Sequence, residues 1–343
     1  DYLTEENFKN LLEINKNSKL NTYEKGIVNF LLSKKEKINK NYKRELDYLN
    51  KFHTSIFNSN YSYNMSSQFY YNKIIINHFK KIKILKGREV DLNQSKGYPI
   101  FIVGLPRSGS TLIESILTSS VEKINSFGES NVFNMSILDQ IGEKIYKKNF
   151  DYKEFEFSVD LKTLNETVFS RYFKFDNNIK KKNYRFIDKS LENFFNIEMI
   201  INIFPNAKFL HTYRNPIDSV ISIYQSMLPD LSWTHSIENI LNYVDNYIKV
   251  LDHFKFQNPK SIMDINLEKF TKNSEETSRK IFKFCNLTWS KDVFNFHKRN
   301  DLYSKTLSFT QIRSKVTKYN EKKYKPYFHL LSNYKKKYKW LNL

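Results

Sequence analysis

Phe101-Ile102-Val103-Gly104-Leu105-Pro106-Arg107-Ser108-Gly109-Ser110-Thr111-Leu112-Ile113-Glu114 decides the fold of this chain of 343 residues. It reads as a buried strand, a loop framed by two glycines and the start of a helix. Two of the seven glycines and one of the seven prolines fall between Gly104 and Gly109. Such a loop turns successive backbone N–H groups inward and sets an anion on the N-terminus of the following helix. The stretch matches the P-loop frame G-x-x-x-x-G-K-[ST] except that Ser110 stands where the lysine belongs. Arg107, inside the loop, brings the positive charge instead. Strand, glycines, hydroxyls and arginine agree, which separates this loop from an ordinary tight turn.

Outward from the loop, short apolar runs alternate with helical patterns. Pro99–Val103, Tyr184–Ile187, Ala207–Thr212 and Ser261–Ile265 read as strands. The alternation predicts an α/β fold: a P-loop-like parallel sheet flanked by helices. Residues 1–92 read as an N-terminal helical extension, with Tyr23–Lys35 and Asn41–Phe52 as a hairpin and Ile74–Ile84 as a third amphipathic helix stopped by Gly87. Asn93-Gln94-Ser95-Lys96-Gly97 is a polar linker, so a second domain is expected over 97–343. The Lys/Tyr-rich segments Lys318–Tyr327 and Tyr334–Tyr338 read as solvated helix faces.

A second motif is Phe209-Leu210-His211-Thr212-Tyr213-Arg214-Asn215-Pro216-Ile217-Asp218-Ser219-Val220-Ile221-Ser222. Arg214 falls at a strand's C-terminal end, where open α/β sheets bind ligands. Pro216 suits the first turn of a helix, and Ser222 lies two turns into it. A forked guanidinium plus a hydroxyl suits a second phosphate. His211, inside the apolar run, reads as a core histidine.

Composition narrows the classes. Hydrophobic residues make up 40% and aromatics 16%, which excludes a mainly disordered chain. No apolar run reaches the roughly 18 residues of a membrane span. The acidic start, Asp1-Tyr2-Leu3-Thr4-Glu5-Glu6, does not read as a signal peptide, and the missing initiator Met fits a fragment or processed chain. The single cysteine, Cys285, excludes an internal disulfide and a multi-cysteine zinc site. The histidines lack metal spacing, so a cytoplasmic protein with no metal is expected. The net charge of +20 fits an anionic partner, but one alanine and only nine arginines among 56 basic residues fit codon bias as well. Aromatics lie in apolar runs rather than between basic residues, so nucleic acid is not the expected partner.

Together the two motifs resemble the sulfotransferases that use 3′-phosphoadenosine 5′-phosphosulfate (PAPS), leaving 3′-phosphoadenosine 5′-phosphate (PAP). The closer resemblance is to bacterial tetratricopeptide-linked sulfotransferases, which are similar to tyrosylprotein sulfotransferases; residues 19–52 resemble a degenerate last repeat. Gly128-Glu129, Asp188–Phe194, Phe284–Trp289 and Thr306–Arg313 extend the resemblance over about residues 97–325. It implies that Pro106, Arg107, Ser108, Gly109, Ser110 and Thr111 hold the 5′-phosphosulfate, that Arg214 and Ser222 hold the 3′-phosphate, and that Arg313 and Lys323 approach the cofactor. It further implies Glu129 as the base, Lys189 and Arg107 as stabilisers of charge on the transferring group, and Ser308 as a contact to the phosphosulfate. The acceptor would be a hydroxyl on a peptide, a glycan or a small molecule. The chain departs from the family's pattern at Leu267, where many relatives carry tyrosine, and at Leu191, where many carry proline. His211 is the rival base, since some sulfotransferases use histidine. Two other classes compete. A kinase with a variant P-loop would need Mg²⁺ and an acid at a strand end. A non-catalytic polyanion binder would bind with steep salt dependence and no reaction.

Overall fold

The computed structural model of the chain describes residues 4–16, 19–80, 83–85, 97–145, 156–180, 183–299 and 313–341. Seven strands run through them: β1 (Lys83–Leu85), β2 (Ile100–Gly104), β3 (Asn125–Ser126), β4 (Ser158–Asp160), β5 (Phe186–Asp188), β6 (Lys208–Tyr213) and β7 (Ile262–Asn266). Five form one sheet in the order β3-β5-β2-β6-β7, with every neighbouring pair parallel. β1 pairs with β4 in a small parallel ladder.

The loop-bearing strand β2 is the centre of the sheet. All five of its residues are buried, because a parallel sheet is covered on both faces. Ile100 and Ile102 pack with Ile113, Ile116, Leu117, Leu210 and Ile265. Phe101, on the opposite face, stacks on Phe209 and meets Phe133 edge-on. Burying each such side chain stabilises the fold by about 1.5–3 kcal/mol. The four strands expected from sequence are all present. Each starts one or two residues later than expected and ends one residue later, since the terminal residues Gly104, Asp188, Tyr213 and Asn266 are not simple apolar residues. The short strands β1, β3 and β4 lie outside the four expected.

The chain divides into two compact units. One comprises Asp1–Asn72, Asn215–Asp245 and Asn320–Leu343; the other comprises Lys73–Arg214 and Asn246–Tyr319 and holds the sheet. In the first, the expected hairpin appears as helices Thr22–Ile38 and Tyr42–Ser59, the former opened by an Asn21/Glu24 capping box. The expected helix over 74–84 is corrected: a π-turn at Tyr70–Ile74 and a short helix at Ile75–His78 give way to β1. Lys81-Ile82-Lys83-Ile84 alternates with period two, which favours a strand over a helix. Gly87 and linker residues 93–96 lie outside the described residues.

The reading of the C-terminal tyrosines as solvated is also corrected. Tyr324, Tyr327 and Tyr338 are buried, because each hydroxyl has a polar partner. Tyr327 donates to the buried carboxylate of Glu45 at 2.5 Å, Tyr338 to Asn242 at 2.5 Å, and Tyr324 to Ser222 at 3.1 Å. Among the described residues, no helix is long and apolar enough to cross a membrane.

Candidate functional site

Backbone geometry gives the loop after β2 a conformation suited to an anion. Gly104 (φ 147°), Arg107 (φ 67°) and Gly109 (φ 92°) all adopt positive φ. A Cβ on Gly104 would lie 2.3 Å from the Thr212 carbonyl oxygen, so only glycine lets β2 and β6 close together at their ends. A Cβ on Gly109 would lie 2.6 Å from Leu267 Cδ1. Leu267, the departure from the family's tyrosine, therefore packs against the loop. Gly109 is the N-cap of helix Ser110–Thr118, and no side chain caps that end. Its first N–H groups and partial positive charge suit an anion. Ser108 is buried with its hydroxyl 2.8 Å from Thr212 Oγ1, which ties the loop to β6. Ser110 and Thr111 open the helix and are also buried, while Pro106 and Arg107 are half-buried.

At the end of the adjacent strand β5, Lys189 is 1% exposed and lies between two carboxylates. Its Nζ is 2.7 Å from Glu129 Oε1 and 3.7 Å from Glu114 Oε2. Glu129 is 49% exposed and Glu114 13% exposed. Burial pushes the Glu114 carboxyl above its ordinary value, opposed by Lys189 and Ser126. Asp188, fully buried beside Lys189, holds this corner together. It accepts from Ser130 Oγ (2.5 Å), Tyr172 OH (2.6 Å), Ser190 N (2.8 Å) and Asn193 Nδ2 (3.3 Å). Lys189 N donates to Gly128 O at 2.8 Å, and Asn131 N donates to Ser190 Oγ at 2.8 Å. The turn carrying Glu129 is thus fastened to the strand end carrying Lys189.

His211 is a core histidine, as its apolar setting predicts. Its Nδ1 is 2.6 Å from Asp264 Oδ1, and its Nε2 bonds the Tyr247 hydroxyl. Burial lowers its pKa against the opposing pull of Asp264. Burial would raise Asp264, but bonds to His211 and Lys255 hold it at about 2.

Arg214 ends this unit's β6 segment, is buried, and has its guanidinium carbon 6.0 Å from the Tyr319 ring centre. Arg313 is exposed and donates to the Arg299 carbonyl at 2.9 Å. Ser308 lies outside the described residues. In the other unit, Asn215 caps helix Pro216–Tyr224 by accepting from Ile217 N, and Ser222 sits buried on that helix. Lys323 is exposed over the Tyr324 ring. The same unit carries Lys37, whose Nζ is 2.5 Å from Gln225 Oε1 and 3.7 Å from Glu45 Oε1.

Sequence reasoning missed Glu114, Tyr172 and Asp264 as parts of this architecture. Glu114 was findable, since it lies one turn beyond Ser110 and Thr111 on the same helix face. Nothing in the sequence brings Tyr172 to Asp188. Among the described residues, no group of three or more His, Cys, Asp or Glu side chains is placed to hold a metal ion.

A family model described as "Sulfotransferase family" matches residues 99–291, more than half of the chain. An uncharacterized protein of Aquifex aeolicus is 26% identical over 262 residues, 72% of this chain; the chain spans only 34% of that relative's length. Among solved structures, the sulfotransferase domain of the Synechococcus olefin synthase is 16% identical, with 62% of this chain and 82% of that one covered and a TM-score of 0.43. Sulfotransferase STF1 of Mycobacterium tuberculosis is 10% identical, with 91% and 96% covered and a TM-score of 0.41. A mouse sulfotransferase complexed with PAP is 14% identical, with 76% and 89% covered and a TM-score of 0.38.

Proposed function

The chain belongs to the sulfotransferase family, and on that premise we propose that it moves the sulfuryl group of PAPS to a hydroxyl acceptor by in-line transfer. The observation that carries this reading is the Lys189–Glu129 pair, 2.7 Å apart, with Lys189 at the end of β5, the strand next to β2, and Glu129 in the turn after β3. In this reading Pro106, Arg107, Ser108, Gly109, Ser110 and Thr111 bind the 5′-phosphosulfate. Ser108 contributes backbone, since its hydroxyl is engaged with Thr212. Within the sheet-bearing unit, Arg214 is assigned to the 3′-phosphate, with Arg313 as a further cation, and Ser308 to the phosphosulfate.

Loose transfer of this kind depends on positioning and on charge stabilisation. The acceptor oxygen bonds to sulfur as the bond between sulfur and the phosphate oxygen breaks, and PAP leaves. Lys189 and Arg107 stabilise the charge growing on the leaving oxygen. Glu129, half exposed, takes the acceptor's proton. These cations do the work that Mg²⁺ does in a kinase. A kinase reading is further disfavoured because Asp188, the acid at the β5 end, is buried and already accepts four hydrogen bonds.

A calorimetric titration with PAP, and with ATP as control, each with and without Mg²⁺, tests the proposal. Metal-independent PAP binding at micromolar affinity or tighter, with ATP much weaker, is expected. Mg²⁺-dependent ATP binding with PAP silent would overturn it in favour of the kinase.

A further inference from the structure

We infer that Glu114 is a positioning residue for the transfer step: its carboxylate holds the Lys189 ammonium in place while Glu129 changes charge. The inference rests on the sulfotransferase reading above. An ammonium that is 1% exposed needs a counter-charge. Glu129 cannot be the sole source of one. It faces solvent, and as the base it becomes neutral on taking the acceptor's proton. At that moment the charge on the leaving oxygen is greatest and Lys189 must remain an ammonium aimed at it. Glu114 is the second carboxylate beside Lys189, at 3.7 Å, and it is nowhere near as exposed as Glu129.

Its other oxygen makes a separate connection. Glu114 Oε1 accepts from Ser126 Oγ at 2.5 Å, and Ser126 Oγ accepts from Gly128 N at 3.1 Å. Gly128 is the residue before Glu129. Glu114 itself sits on helix Ser110–Thr118, the helix that begins at the anion loop. One carboxylate therefore links the loop's helix to Lys189 through one oxygen and to the turn carrying Glu129 through the other. The distance from cradle to ammonium to base is set across these links rather than by the long chain segments between them.

The test uses Glu114→Gln, Glu114→Asp, Lys189→Gln and the Glu114→Gln/Lys189→Gln double variant of the full chain. PAP affinity is read by calorimetry, and transfer from PAPS to water and to p-nitrophenol by release of PAP. In the water reaction the bond between sulfur and the phosphate oxygen breaks, a bond from sulfur to the water oxygen forms, and the proton goes to Glu129. Glu114→Gln should keep PAP affinity within about twofold yet lower turnover by about tenfold or more, an effect on kcat rather than on binding. Glu114→Asp, which keeps the charge, should recover part of the loss. In the Lys189→Gln background, Glu114→Gln should add nothing, because its action runs through that lysine. A merely structural role would instead lower PAP binding, melting temperature and turnover together and would remain additive.

Turnover unchanged in Glu114→Gln while Lys189→Gln is impaired, or a fully additive double variant, overturns the inference and leaves the sulfotransferase reading standing. Wild-type protein that binds no PAP, or binds it and transfers to neither acceptor, overturns the reading itself. Should Glu114→Gln fail to fold, Ser126→Ala loosens the same carboxylate without removing its charge. A fall in turnover at constant PAP affinity is expected there, and full activity counts against the inference.

Discussion

Replacing Gly104 and Gly109 by alanine, separately, should destabilise the fold for two different reasons, only one of which a second substitution can relieve. Both residues have positive φ, at 147° and 92°, so both variants carry a strained backbone that costs about 1–3 kcal/mol. What the new methyl meets differs. At Gly104 it would lie 2.3 Å from the Thr212 carbonyl oxygen, and Gly104 is paired with Thr212 at the end of the β2–β6 ladder. That oxygen is backbone and cannot move without parting the two strands. A hydrogen bond at the strand end, about 0.5–1.5 kcal/mol, is then lost as well. The sum for Gly104→Ala is about 1.5–4.5 kcal/mol.

At Gly109 the methyl would lie 2.6 Å from Leu267 Cδ1, the tip of a flexible side chain. Turning that side chain off its rotamer costs about 0.5–1.5 kcal/mol. Leu267→Ala, introduced beside Gly109→Ala, should recover that portion and leave only the backbone strain. Urea unfolding of the three single variants and the double variant measures all four terms. The reasoning is refuted if Gly104→Ala costs less than about 1.5 kcal/mol, or if Gly109→Ala and Leu267→Ala simply add.

Arg107→Ala and Arg214→Ala should each weaken PAP binding by ~1–3 kcal/mol for a lost charged hydrogen bond, and unchanged affinity in both would sink the cofactor assignment. Glu129→Gln should bind PAP normally but lose turnover by ~10²–10⁴; retained turnover would mean the base is another group. Tyr172→Phe removes the 2.6 Å bond to the buried Asp188, so a loss of about 1–3 kcal/mol in urea unfolding is expected, and an unchanged midpoint would show that Asp188 does not depend on it. Burial holds His53 down at about 3. Below about pH 6.5 the unfolded chain therefore takes up a proton that the folded chain refuses, and stability falls as pH drops toward about 3. By about pH 5 the loss is on the order of 2 kcal/mol. His53→Gln should flatten that part of the stability-versus-pH curve, and an unaltered slope would contradict the assignment.

The glycine-framed loop after β2 was legible because its signals are local. A central strand, two glycines, Arg107 and the opening of a helix lie within one short stretch, and each constrains the backbone of its neighbours. Arg214-Asn215-Pro216 was legible for the same reason. Lys189 was singled out by resemblance, but its burial was not visible. Its surroundings come from Glu114 on the helix after β2, Glu129 after β3 and Asp188 at the end of β5. The C-terminal tyrosines misled the reading because composition alone cannot reveal that Tyr327 has a buried carboxylate, Glu45, to bond. A tyrosine is amphipathic, and its partner decides whether it is buried.

The sequence by itself determined the parallel α/β sheet, the loop after its central strand and the family to which the chain belongs. Those follow from backbone restriction and from hydrophobic periodicity, both of which act between near neighbours. Only the tertiary structure decided that Lys189 is buried between Glu114 and Glu129, that Asp188 is occupied by four hydrogen bonds, and that His211 is held by Asp264 and Tyr247. Burial and charge pairing depend on which distant segments the sheet order brings together, and that order is not written in any one of them.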